Sequence, residues 1–181
     1  MMKLSTRKIV VAGMLGAVSI VLGLSGLGLI PVPTVAGKVT IMHVPVILGT
    51  VLEGPLVGGL IGLIFGIFSF LQATNAIFAD PLVAILPRIL IALVTYFFFL
   101  MGKRFNINLA YIIAGITGSL TNTVLALGLA VLRGYLPLEA AVSVGAIHGI
   151  PEAVVAAILV LIIGRALSKY LVEEKKVTVD P

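Results

Sequence analysis

Long apolar runs, separated by short joints of polar, proline and glycine residues, make up most of the chain. The pattern is tightest at residues 40–55, TIMHVPVILGTVLEGP, an apolar segment entered through His43 and Pro45 and closed by Glu53-Gly54-Pro55. A second run, LVGGLIGLIFGIFSFLQ, begins at once. The two segments predict helices folded back on each other, about a hinge too short to hold a soluble loop. Gly49, Gly54, Gly58, Gly59 and Gly62 leave little side-chain bulk there, and membrane helices approach closely at such residues. The rest of the chain is expected to gather around this hairpin as a compact bundle.

Six helices are expected, at about residues 9–29, 40–52, 55–71, 82–101, 107–132 and 138–171. The second covers only about 20 Å at roughly 1.5 Å per residue, so it is short or steeply placed. The third opens on Pro55, acceptable in a first helical turn. Residues 31–38 hold two prolines and a glycine and predict a loop. Residues 69–81 are polar and turn-rich. The fourth run carries Pro87 and Arg88, the fifth Thr117, Ser119, Thr121, Asn122 and Thr123, and the sixth a predicted kink at Gly149-Ile150-Pro151. A membrane domain over 1–172 and a charged, disordered tail over 173–181 follow. A cleaved leader competes for the first run, because residues 3–8 resemble a charged n-region. That run is about 22 residues, enough for a core of roughly 30 Å, and has no convincing cleavage site before Pro31. It is retained as a helix.

Composition sharpens the class. The 181 residues are 60% hydrophobic and 10% charged, with mean hydropathy +1.27. Soluble domains are about 25% charged. This chain has too little polar surface to cover itself and reads as one polytopic membrane domain. Without cysteine it has no disulfide framework, thiol nucleophile or thiolate metal site. The net charge of +5 does not point to nucleic acid, because most of the 12 Lys and Arg residues sit at the ends of apolar runs. Six spans place both termini on one side. Lys3, Arg7, Lys8, Lys103, Arg104 and the cluster over 165–176 then share a face, cytoplasmic by the positive-inside rule. Lys38, Arg133, Asp80 and Glu139 fall opposite.

Ionisable groups inside hydrocarbon cost at least a few kcal/mol and are candidates for function. They are His43, Arg88, His148 and Glu152, joined by the amides Gln72, Asn75 and Asn122. His148 and Glu152 lie four apart on one helix face. An outward cavity lined by helices four to six, capped by the 31–39 and 72–80 loops, would collect most of these groups. Plainer roles stand beside that reading. Arg88 and Glu152 pair with each other; the fifth helix's Ser and Thr hydroxyls bond between helices; His43 is a loop or helix-start residue near an interface. Glu53 is a solvated turn residue, and Phe97-Phe98-Phe99 is lipid-facing bulk. On the first helix Ala12/Gly16 and Gly13/Ala17 form overlapping small-xxx-small pairs, suited to internal packing or to a partner subunit. Gly37-Lys38-Val39 is no phosphate loop, and neither HExxH nor GxSxG occurs. A membrane enzyme using His148 and Glu152 as acid and base would need a cofactor or nucleophile that the sequence does not display. What remains is a small solute binder working with partners.

The runs TIMHVPVILGTVLEGPLVGGLIGLIFGIFSFLQA, FADPLVAILPRILIALVTY, GSLTNTVLALG and HGIPEAVVAAI resemble the S components of energy-coupling factor (ECF) vitamin transporters, over about residues 5–170. The resemblance implies an all-α membrane protein, a compact bundle of six transmembrane helices with both termini cytoplasmic, in the bacterial plasma membrane. It implies no enzyme and no cofactor, but a high-affinity vitamin-binding subunit. Its partners would be a transmembrane coupling subunit and two cytoplasmic ABC ATPases, whose ATP hydrolysis topples the subunit to release ligand inside. Ala12/Gly16 and Gly13/Ala17 map onto the family's small-residue ridge for the coupling subunit. Gln72, Asn75, Arg88, Asn122, His148 and Glu152 are the expected ligand contacts. The MHVPV and LTNTVL segments are similar to pantothenate-type members; riboflavin, cobalamin and thiamine-precursor members are the alternatives. A carboxylate ligand would meet Arg88, and hydroxyls or amides would meet Asn122, Gln72 and His148.

Overall fold

The computed structural model describes the backbone of residues 5–31 and 38–177. Residues 32–37 of the expected first loop and 178–181 of the expected tail lie outside the described residues. Apart from one short ribbon, every described element is helical, joined by short turns.

Helix α1 (Thr6–Ser25) starts at Ser5, whose side chain accepts from the Lys8 amide. It stops four residues before the expected end, because Gly26 takes a left-handed conformation (φ 73°) that ends the helix. The following Leu29–Pro31 forms strand β1, paired antiparallel with β2 (Lys38–Thr40), Leu29 opposite Thr40. No strand was expected there. Helix α2 (Val44–Glu53) and helix α3 (Pro55–Leu71) meet at Gly54, whose φ of 97° makes a one-residue hinge. Helix α4 (Pro81–Lys103) is capped by Asp80 and helix α5 (Ile107–Leu132) by Asn106. Helix α6 (Leu138–Val144), a π-helical turn at Gly145–Gly149 and helix α7 (Ile150–Val177) make one long rod. The expected kink is this wider turn. Pro151 has no N–H and its ring crowds the carbonyl four residues back, and a π turn gives the room. The rod's helical backbone continues to Val177, into the segment read as tail.

Helix α2 is the centre of the molecule. It packs against α1, α3, α4, α5 and α7, and every residue from Val44 to Thr50 is buried. A helix apolar on all sides is stable only when enclosed, which explains why the sequence here has no polar face. At about 15 Å it is too short to cross a hydrocarbon core. Four stretches are long and apolar enough to do so: Thr6–Ser25, Pro81–Lys103, Ile107–Leu132 and Leu138–Lys169. Met14, Phe97, Val124 and Leu138 lie on the outer surface, where only an apolar solvent suits them. The helices meet at glycines. A Cβ on Gly66 would lie 2.8 Å from Ile85 Cα, and one on Gly115 would lie 2.6 Å from Ala157 Cα.

Candidate functional site

The end of the bundle carrying Asp80 and Arg133 is termed the outer end, after the charge pattern. Buried polar groups concentrate toward it, and the local sequence around Arg88 shows why it is held. Pro87 lacks an N–H, so the Val83 carbonyl four residues back loses its helical donor. The Arg88 guanidinium fills that place, donating from Nη1 to Val83 O at 3.0 Å. The adjacent Pro87-Arg88 pair thus makes a helix defect and satisfies it. The guanidinium is also flanked by aromatic rings, 5.4 Å from the Phe65 centroid and 5.0 Å from Phe78. Arg88 is buried and its Nε has no partner. Among the described residues no carboxylate stands within ion-pair distance of it.

Glu152, the neutralising partner that the sequence allowed, is engaged elsewhere. Its Oε1 accepts from the Thr40 N–H at 3.0 Å, tying α7 to strand β2, and its Oε2 accepts from the Thr123 hydroxyl at 3.4 Å. His148 sits in the π turn, half-buried, within electrostatic reach of Glu152. Asn122 is buried on α5 and its Oδ1 has no hydrogen-bond partner. His43 does start a helix, as the N-cap of α2, and lies enclosed in the bundle. It is wholly buried, and neither ring nitrogen has a partner.

The amides of the 72–80 loop are placed differently. Gln72, at the C-cap of α3, and Asn75 are both exposed. Asn75 Oδ1 accepts from the Phe78 N–H at 3.0 Å, so it shapes the turn that brings Phe78 to Arg88. The loop is fastened by a cluster that the sequence reading missed. Asp80 caps Leu82 at 2.9 Å and accepts from Arg133 Nε at 2.7 Å and from the Tyr135 hydroxyl at 3.2 Å. The Arg133 hydrogen bond holds the Asp80 carboxyl below the usual range, and the same bond raises Arg133. The outer-loop charges were visible as a set; their pairing across 53 positions was not. Phe65 and Phe78 gave no signal at all.

Other expectations are corrected. Glu53 is no solvated turn residue: its side chain is 11% exposed and pairs with Arg7 at 3.1 Å, because the one-residue hinge presses it against the start of α1. Phe97 and Phe98 face outward, but Phe99 is buried against Tyr111, ring centroids 5.6 Å apart. Consecutive helical residues diverge by about 100°, so three in a row cannot share one face. Of the fifth helix's hydroxyls, Thr123 bonds across to Glu152 as expected, whereas Thr117 and Thr121 bond within their own helix, to the carbonyls of Ile113 (2.8 Å) and Thr117 (2.6 Å). On α1 the two small-residue pairs divide. Ala12 and Gly16 are buried, and a Cβ on Gly16 would lie 2.7 Å from Ile64 Cδ1; Gly13 and Ala17 are exposed, with open space beyond Gly13.

The arrangement is a buried cation without a counter-ion among the described residues, with an unbonded imidazole and an unbonded amide oxygen, all toward the outer half. Comparison with known proteins adds to it. Residues 7–164 match the family described as ECF transporter, substrate-specific component. The chain is 31% identical over 157 residues to the pantothenic acid transporter PanT of Lactococcus lactis subsp. cremoris (strain MG1363), covering 73% of this chain and 79% of that one.

Proposed function

The chain belongs to the family of substrate-specific components of ECF transporters, and from that premise we propose that it is the membrane subunit that captures pantothenate for import. The observation that carries the substrate is Arg88. Removing a guanidinium from water costs several kcal/mol unless it is paired. Two flanking rings return about 2 kcal/mol, and one backbone carbonyl adds a charged hydrogen bond. The buried acids Glu152 and Asp80 are spent on fastening loops. A ligand carboxylate completes the charge balance. Pantothenate has a carboxylate at one end and an amide and hydroxyls along its length, so it also offers donors to the Asn122 oxygen. An acid–base enzyme is not favoured, because both oxygens of Glu152 are tied to Thr40 and Thr123.

Around this site we read a six-part helical bundle in the cell membrane, the two shorter helices packed among the four long ones that span it, with both termini cytoplasmic. The exposed Gly13/Ala17 pair is the surface of α1 open to a coupling subunit; Ala12/Gly16 is already used against α3. ATP hydrolysis by two ATPase partners then drives release inside.

Equilibrium binding of labelled pantothenate to the purified chain tests the reading. Wild type is expected to bind, and Arg88→Ala to lose roughly a hundredfold or more in affinity, as when one partner of a buried charge pair is truncated. Full affinity in Arg88→Ala would sink the carboxylate model.

A further inference from the structure

Arg88 accounts for one end of the ligand and leaves a second buried group unused. His43 is wholly buried, with both Nδ1 and Nε2 unbonded. Other buried polar side chains are bonded at least in part. Thr50 donates to the Val46 carbonyl at 2.8 Å, Arg88 to the Val83 carbonyl, and Glu152 accepts through both oxygens. Buried polar side chains normally find partners, and an orphan asks for an explanation. Arg88 Nε, Asn122 Oδ1 and the Thr95 and Ser119 hydroxyls also lack partners. Thr95, however, is two turns further along α4 from Arg88, about 10 Å deeper, and a hydroxyl loses less than an imidazole with two empty positions.

The placement of His43 is fixed from several sides. Its carbonyl accepts from the amides of Val46 (3.1 Å) and Ile47 (3.2 Å), so its backbone belongs to the first turn of α2. Three residues upstream, the Thr40 N–H is held by Glu152 from α7. Arg88 lies on α4, which packs against α2. The imidazole therefore cannot swing to water, and a positive charge on a ring wholly buried without a partner would be costly. A neutral imidazole presents one N–H donor and one lone pair. That pair complements a hydroxyl or an amide, each donor and acceptor at once; it complements a second carboxylate poorly.

We propose that His43 is a substrate-contacting residue that reads a hydroxyl or amide of the ligand whose carboxylate Arg88 holds, and so sets the specificity of the site. The inference rests on the pantothenate reading. Glu152 serves it as a positioning residue, through Thr40.

The test is a matrix of affinities on the purified full chain. Wild type, His43→Leu and His43→Gln are each measured against pantothenate and two analogues, one without the hydroxyls and one with a methylene in place of the amide nitrogen. Wild type is expected to prefer pantothenate over both analogues. In His43→Leu the pantothenate affinity falls by roughly tenfold or more, while the affinity for one analogue barely changes, so that preference collapses. His43→Gln keeps a donor and an acceptor and retains part of the preference. It also decides the matter if the leucine variant fails to fold, through a fall of about threefold in the same ratio. A purely packing role would weaken all three ligands alike. Ratios unchanged in the folded variants overturn the role of His43 while leaving the substrate reading intact. Failure of wild type to bind pantothenate overturns the substrate reading and this inference with it.

Discussion

Single residues in this protein tend to carry two duties, one structural and one chemical. Pro87 breaks a helical hydrogen bond and Arg88 repairs it, and the repair is what orients the guanidinium between Phe65 and Phe78. Asp80 caps α4 and also binds Arg133 and Tyr135. The Arg133 bond depresses the Asp80 carboxyl. A depressed acid contributes stability above its unfolded value and loses it as pH falls through the folded one. The clasp therefore holds throughout the neutral and mildly acid range and opens only below the usual carboxylate range. The difference in melting temperature between wild type and Asp80→Asn is expected to stay constant from about pH 8 to about pH 5 and to close below that. A difference that already closes between pH 7 and pH 5 (about one pH unit on either side of 6) would contradict this account.

At the scale of elements, the bundle depends on backbones meeting without side chains between them. Gly62 of α3 is the sharpest case, because an added Cβ would collide with the Arg88 carbonyl on α4. Backbone cannot yield as a flexible side chain does, so Gly62→Ala is expected to cost about 1–3 kcal/mol and to weaken ligand binding by shifting Arg88. Gly59 on the same helix has nothing within 4 Å. There, Gly59→Ala is expected to be neutral, or to stabilise by about 0.5–1 kcal/mol, since glycine disfavours a helix interior. Thermal unfolding in detergent, with both variants beside wild type, measures the contrast. Equal melting temperatures for the two would show that the α3–α4 approach is looser than described. The π turn belongs to the same scale: it carries His148 and admits Pro151 without breaking the rod.

For the whole molecule, the question is orientation. The basic residues Lys103 and Arg104 lie at the end of α4, opposite the Asp80–Arg133 cluster at its start. By the positive-inside rule the proposed site is expected on the outside, where an importer must first meet its solute. The absence of cysteine makes a direct check simple. Arg104→Cys and Glu139→Cys, both at exposed positions, are expected to differ with a membrane-impermeant maleimide on intact cells. Glu139→Cys is labelled and Arg104→Cys is labelled only after lysis. The reverse result would invert the molecule and move the site to the cytoplasmic side.

The sequence by itself determined the membrane class, the α2–α3 hairpin and the positions of nearly every helix, because these follow from local properties: apolar run length, glycine and proline at joints, and charge at the ends. It also singled out Arg88 and Asn122 as candidates, since a polar group inside an apolar run is conspicuous without any structure. Only the tertiary structure decided what each group does. Whether Arg88 is neutralised depends on Glu152, 64 positions away by subtraction of their numbers, and the structure gives Glu152 to Thr40 and Thr123 instead. His43 passed as a helix-start residue because burial cannot be read from the order of residues. It depends on which helices enclose α2. The aromatic rings on Arg88 and the Asp80–Arg133–Tyr135 clasp were hidden for the same reason. Hydrophobic pattern fixes where a chain is helical, while hydrogen-bond partners are set by the contacts between helices, which local pattern does not encode.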